Sequence, residues 1–244
     1  MTEIRWETMG MPAKLIVAER KDLKAITTKI KSLFTSIDAK FSTYKDTSLV
    51  SQLNRGEIKP DTDDELRTIF AECERTKKET NNYFDCAYRG QFDPSGLVKG
   101  YAIGLAAKLL KASGYTNFLV EIAGDLQTSG TNEDKQPWKI GIENPFNQTE
   151  IVKVVKLSGE AMATSGTAVH AEHIINPITH QVAHEIASVS VIAKNIYDAD
   201  RMATAAFAMG EAGISFIHNT PGYAGYMITN GKQGIMTEGF KRYV

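Results

Sequence analysis

Asp200 and Thr204, in the run Asp198-Ala199-Asp200-Arg201-Met202-Ala203-Thr204, stand four residues apart and so share one face of a helix. A carboxylate and a hydroxyl there offer two hard oxygen ligands to a cation such as Mg²⁺, whose octahedral shell is completed by water, a backbone carbonyl or substrate phosphates. An acidic pair that only complements the helix dipole leaves the same pattern. A second stretch, Phe92-Asp93-Pro94-Ser95-Gly96-Leu97-Val98-Lys99-Gly100-Tyr101-Ala102, runs from an acidic turn into a helix start. Unpaired N–H groups, the positive end of the helix dipole and the Lys99 charge make that start a seat for a phosphate or pyrophosphate. An ordinary amphipathic helix with an exposed lysine also fits the stretch taken alone. His170, His173, His180 and His184 cluster without a His-Glu-x-x-His helix or a nearby cysteine, which disfavours zinc. A single neutral imidazole acting as general base is the stronger reading of that cluster.

The elements that must position these groups follow from apolar spacing. Leu97, Val98, Tyr101, Leu105, Ala106 and Leu109 recur at helical intervals up to Lys111, with Ser95 as the expected cap and Gly114 just past the end. A strand over residues 13–18 precedes a periodic helix from Leu23 to Ile37, and a hydroxyl-rich loop leads from Phe41 into a short helix ending at Asn54. The acidic run 61–65 opens a helix through Leu66, Ile69, Phe70 and Cys73. Residues 83–88 read as a short strand. Further strands are expected at 118–122, 138–145, 151–157, 173–175, 188–193 and 223–228, with a last large helix over 198–210. Paired helices and antiparallel runs of strands predict an α+β fold, a mixed and largely antiparallel sheet packed with helices, in a single domain spanning 1–244.

Composition narrows the partners. With 28 basic and 29 acidic residues, the net charge of −1 gives no bulk attraction to nucleic acid or to an anionic membrane. Cys73 and Cys86 are too few for a disulfide framework and lack zinc-site spacing, so a reduced pair in a reducing compartment is expected. No signal-peptide core or lipidation cysteine opens the chain, and no apolar run reaches the ~18 residues of a membrane span. The expectation is a soluble, cytoplasmic protein with no membrane segment.

Several segments in order resemble the ApbE family of FAD:protein FMN transferases. They are Phe41-Ser42-Thr43-Tyr44 with Ser48 and Leu53-Asn54; Phe84-Asp85; the Asp93-to-Ala102 stretch; Glu121-Ile122-Ala123-Gly124-Asp125; Ala163-Thr164-Ser165-Gly166; His173-Ile174-Ile175-Asn176-Pro177; and Ala199-Asp200-Arg201-Met202-Ala203-Thr204-Ala205. The resemblance implies an α+β fold and a Mg²⁺-dependent transfer of FMN from FAD, as substrate, to a Ser or Thr of an acceptor protein by a phosphoester bond, with release of AMP. It implies metal ligation by Asp200, Thr204 and the Gly96 carbonyl, and flavin contacts from Asp93, Lys99, Tyr83, Phe84, Asp85, Met9, Ser42 and Ile174. His173 matches the family's catalytic base. Asp93 follows Asp85 at a spacing of only eight positions, where the family has a longer segment, so a cap over the flavin is expected to be shortened or missing. Asn176 stands where the family has aspartate, and Ala123 where it has glycine. Two other readings remain: a non-catalytic FAD-binding protein, and a pyrophosphatase that admits water and yields FMN and AMP. No segment matches the acceptor motif Asp-Gly-x-Ser/Thr-Gly-Ala/Ser-Thr, so self-flavinylation is not expected.

Overall fold

The structure, a computed structural model, describes residues 1–88, 90–167 and 174–244. The first two strands, β1 (Thr2–Thr8) and β2 (Met11–Val17), form a hairpin closed at the pair Thr8–Met11. Met9 and Gly10 make its two-residue turn at φ of 52° and 69°. Left-handed backbone at both turn positions matches the twist of a tight hairpin, and Met9 adopts it without glycine's freedom. The β1 strand is missing from the sequence expectation because Glu3, Arg5 and Glu7 alternate with only Ile4 and Trp6, the pattern of a charged edge strand.

Helix α1 (Lys24–Phe41) buries Ile26, Ile30, Phe34, Ile37 and Phe41 along one stripe. After α2 (Leu49–Asn54), helix α3 (Asp64–Glu79) starts at Asp63, whose Oδ1 accepts the amides of Glu65 and Leu66. The predicted strand over 83–88 shrinks to β3 (Ala87–Tyr88), paired with β4 (Gln91–Phe92), and α4 (Ser95–Ala112) follows at once. Ser95 is the first helical residue rather than the cap: the Asp93 carboxylate accepts its amide at 2.9 Å instead. Next come β5 (Phe118–Ile122), β6 (Asp125–Ser129), β7 (Trp138–Asn144), β8 (Asn147–Leu157) and β9 (Ala161–Gly166). The short strands β10 (Ile175–Asn176) and β11 (Gln181–Val182) precede β12 (Ile186–Ala193), helices α5 (Ile196–Ala208) and α6 (Ala212–Asn219), and strands β13 (Ala224–Thr229) and β14 (Gly234–Met236).

Among the described residues the main sheet runs β1-β2-β5-β6-β9-β12-β13-β14, antiparallel at every step. Alternation sends Phe118, Val120, Ile122, Val189 and Val191 into a core with α1, α4 and α5, and Leu119, Met162 and Ile192 into a second core on the other face. The β7–β8 ribbon covers that second face with Trp138, Ile140, Ile142, Val155 and Leu157, beside Phe240 and Tyr243 of a C-terminal 3₁₀ turn. Strands β12 and β13, covered on both sides, are buried along their whole length. Each fully buried Phe or Leu in these layers contributes roughly 1.5–3 kcal/mol.

Cys73 and Cys86 are joined in a disulfide with a Cα–Cα distance of 5.9 Å, which corrects the expectation of a reduced pair. The bond ties α3 to the segment between Phe84 and Asp93. Two isolated cysteines read as free thiols only until the fold brings their backbones within bridging range. No described helix is long and apolar enough to cross a membrane.

Candidate active site

Helices α4 and α5 touch where glycine allows it. A Cβ on Gly100 would lie 2.8 Å from Asp200 Cβ and 2.9 Å from the Ile196 carbonyl, so only a bare α-carbon fits. The Gly100 amide donates to Asp200 Oδ2 at 2.6 Å, a charge-assisted bond within the buried contact. One turn earlier on α4 and one turn later on α5, Thr204 Oγ1 lies 3.3 Å from the Gly96 carbonyl oxygen. Two glycines spaced by four thus face a carboxylate and a hydroxyl spaced by four. The carbonyl, hydroxyl and carboxylate oxygens are the donor set of a hard cation, and they fit Mg²⁺ better than a softer metal.

Behind this contact sits an ion pair whose carboxylate is buried. Asp125 opens β6 and turns to the helical face, since Leu126 after it joins the opposite core. Its Oδ1 accepts the Thr164 amide of β9 at 2.9 Å, and its Oδ2 lies 2.8 Å from Lys99 Nζ. Burial pushes the Asp200 carboxyl up, the Asp125 charge adds to the rise, and Lys99 and the Gly100 amide oppose it, leaving a pKa of about 8. Burial works against the Lys99 ammonium, but the charges of Asp125 and Asp200 outweigh it and hold that pKa above its ordinary value. Burial and the neighbouring Asp125 disfavour a second charged carboxylate here, a cost that a bound cation would offset.

The wall beside α4 is pinned in several places. Asn54 of α2 brackets Phe92, accepting its amide at 2.7 Å and donating to its carbonyl at 3.0 Å, which fixes the entry to Asp93. Asp85 accepts from Lys77 of α3 at 2.8 Å and from the Ala87 amide at 2.8 Å. Phe84 is buried, its amide bonded to Thr80 Oγ1 at 3.1 Å, and its ring reaches to 3.1 Å from where a Gly96 Cβ would stand.

The ApbE family model matches residues 9–92 and 88–227, the two pieces meeting at the β3–β4 hairpin. The chain belongs to the ApbE family. It is 34% identical over 129 residues to the FAD:protein FMN transferase of Vibrio cholerae serotype O1, covering 49% of this chain and 39% of that one. It is 31% identical over 162 residues to the FAD:protein FMN transferase of Klebsiella pneumoniae, covering 62% of this chain and 45% of that one. The matched chain thus spans less than half the length of these curated relatives. In fold it resembles the flavin transferase ApbE from Vibrio cholerae, with a TM-score of 0.86 at 22% identity over 100% of this chain and 99% of that one. The ApbE protein from Thermotoga maritima gives a TM-score of 0.87 at 22% identity over 99% and 98% of the two chains. The α+β architecture with its antiparallel sheet agrees with these ApbE structures.

Of the residues singled out by the ApbE resemblance, Gly96, Lys99, Asp200, Thr204 and Phe84 converge at the α4–α5 contact. Asp93 stands at the start of α4 and Asp85 on the pinned wall beside it. Met9 occupies the β1–β2 turn, at the same end of the sheet as the Ala123-Gly124 turn, and packs with Tyr83 and Ile174 against the helical core. Ser42 ends α1, its Oγ accepting the Tyr44 amide at 3.2 Å. His173, like His170, lies outside the described residues. The Lys99 ammonium, partly exposed, lies 2.8 Å from the buried Asp125 carboxylate, a partner the sequence did not indicate. The motifs that carry the resemblance include Gly100, Asp125 and Asn54, but the sequence assigned none of them a role. The signals were present in the Gly96/Gly100 spacing and in an acid directly after a glycine turn. Asn176 donates to the Ala208 carbonyl at the end of α5 at 2.9 Å, a bond that an ionised aspartate could not make.

Proposed function

We propose that this chain is a Mg²⁺-dependent FAD:protein FMN transferase, which links FMN by a phosphoester to a Ser or Thr of an acceptor protein and releases AMP. The observation that carries this reading is the pairing of Gly96 and Gly100 on α4 with Thr204 and Asp200 on α5. Asp200, Thr204 Oγ1 and the Gly96 carbonyl would hold Mg²⁺, which when bound neutralises charge developing on the diphosphate oxygens. Lys99 holds the diphosphate through its charge. Asp93, Tyr83, Phe84, Asp85, Met9, Ser42 and Ile174 bind and orient the rest of FAD. His173 takes the proton of the acceptor hydroxyl as the hydroxyl oxygen attacks the FMN phosphorus; the bond from that phosphorus to the bridging oxygen breaks, and AMP departs with the bridging oxygen. Placing attacking oxygen, phosphorus and leaving oxygen in line is the protein's main task.

The acceptor is a separate protein carrying a Ser/Thr flavinylation motif, and nothing in the charge of the chain calls for nucleic acid. The Cys73–Cys86 bond favours an oxidising compartment over the cytoplasmic one that the sequence suggested. The short β3–β4 hairpin supports FAD hydrolysis as a second reading, since a reduced cover admits water. One assay separates these outcomes: the protein with FAD, Mg²⁺ and an acceptor, followed for FMN-labelled acceptor, free FMN and AMP. Labelled acceptor with equal AMP supports transfer, and FMN with equal AMP and no label supports hydrolysis. Intact FAD would reduce the chain to a binding protein.

A further inference from the structure

We propose that Asp125 is a positioning residue for the diphosphate: it sets the direction of the Lys99 ammonium before any ligand enters. This rests on the flavin reading above and adds a residue to it. The Asp125 side chain is 2% exposed, and a carboxylate kept from water is costly unless its charge is matched. Its two oxygens have separate roles. Oδ1 accepts the Thr164 amide and so is locked to β9, whereas Oδ2 faces Lys99 Nζ at 2.8 Å without a well-aligned hydrogen bond. The locked oxygen fixes the carboxylate plane to the sheet, and the other oxygen fixes the ammonium to the carboxylate.

Lysine needs such a partner here. Its four-carbon stem rotates freely, and its ammonium is a point charge without the rigid fork of arginine. Left to itself, that head would be drawn to Asp200, the other carboxylate whose charge it feels and the side chain best placed to ligate a cation. Asp125 holds the ammonium on the β6 side. Asp200 then remains available to the metal, and Lys99 faces a ligand whose own charge is negative.

The test is a double-mutant cycle on FAD affinity in saturating Mg²⁺, read from flavin fluorescence, with Asp125→Asn, Lys99→Met and the double variant. Asp125→Asn and Lys99→Met should each weaken FAD binding roughly tenfold to a hundredfold, the range of a lost charged hydrogen bond. Together they should lose no more than Lys99→Met alone, because Asp125 acts through Lys99. Urea midpoints are recorded alongside. The double variant removes both charges at once and keeps the fold within reach if a single change does not, since replacing a whole buried pair is tolerated better than halving it. Wild-type FAD affinity in the folded Asp125→Asn protein, even with a lower midpoint, overturns the inference and leaves the flavin reading standing. Losses that add in the double variant also overturn it, since Asp125 would then act independently of Lys99. Absence of FAD binding in the wild-type protein removes the flavin reading, and this inference with it.

Discussion

Gly100→Ala places one methyl group at the closest approach of α4 and α5, and its effect can be worked out from the contact. The new carbon would stand 2.8 Å from Asp200 Cβ, 2.9 Å from the Ile196 carbonyl oxygen and 3.0 Å from Asp200 Oδ2. Two of those atoms belong to backbone or to the root of a side chain and cannot rotate away, so the helices must part. Overpacking of this kind costs ~1–3 kcal/mol. Parting also stretches the 2.6 Å bond from the Gly100 amide to Asp200, and bonds to charged groups contribute ~1.5–3 kcal/mol. Against this, alanine gains ~1 kcal/mol over glycine in a helix interior. The net is a destabilisation of roughly 1.5–5 kcal/mol. Gly104 provides the control, because a methyl there meets only Ile196 Cγ2 at 3.7 Å, an ordinary contact. Gly104→Ala should gain ~0.5–1 kcal/mol. Urea unfolding of the ligand-free variants measures both, and Mg²⁺ calorimetry should show weaker binding in Gly100→Ala alone. A Gly100→Ala midpoint at or above wild type would refute the close-approach argument.

Asp200→Ala should abolish most Mg²⁺-dependent turnover and Thr204→Ala should reduce it less, as judged by AMP release; full activity in Asp200→Ala would remove that residue from the metal site. Replacing Cys73 and Cys86 by serine opens a loop closed across 13 residues and should lower stability by about 3 kcal/mol in non-reducing buffer, with thiol titration of the wild type confirming the bond. The Lys40 hydrogen bond is the main cause that lowers the Asp63 pKa, so the pair adds stability above the unfolded value near pH 4 that is lost as pH falls further. Asp63→Asn keeps the α3 cap, so its urea midpoint should fall below wild type at pH 7 and converge with it near pH 2. His173→Gln should leave FAD binding intact and slow FMN transfer about a hundredfold to ten-thousandfold, and transfer at the wild-type rate would exclude the base role.

How far the sequence could be read depended on the range of each interaction. Asp200 and Thr204 were legible because four residues along one helix fix their relation without any tertiary knowledge. The β5, β7 and β12 strands were legible for the same reason, their apolar runs being local. What escaped depends on distant partners. Gly100 reads as a mild helix defect until Asp200, a hundred residues on, is seen against it. Asp125 reads as a turn acid until alternation along β6 sends it inward to Lys99. The disulfide needs α3 to lie beside the segment leading to β4, and Ser95 lost the cap because Asp93 reaches its amide first. The shortened region between Asp85 and Asp93 was legible as a length, and the structure fills it with the β3–β4 hairpin.

The sheet also acts as a partition. Gly96, Lys99, Gly100, Asp125, Asp200 and Thr204 all belong to its helical side, whereas the β7–β8 ribbon closes the other side over Leu119, Met162 and Ile192. The ribbon's turn at Pro145-Phe146 and the outer face of β8 are open to solvent. Demands made by chemistry and demands made by the outside world therefore fall on different residues. The ribbon can be altered, or a module grafted onto its turn, without touching the residues of the candidate site.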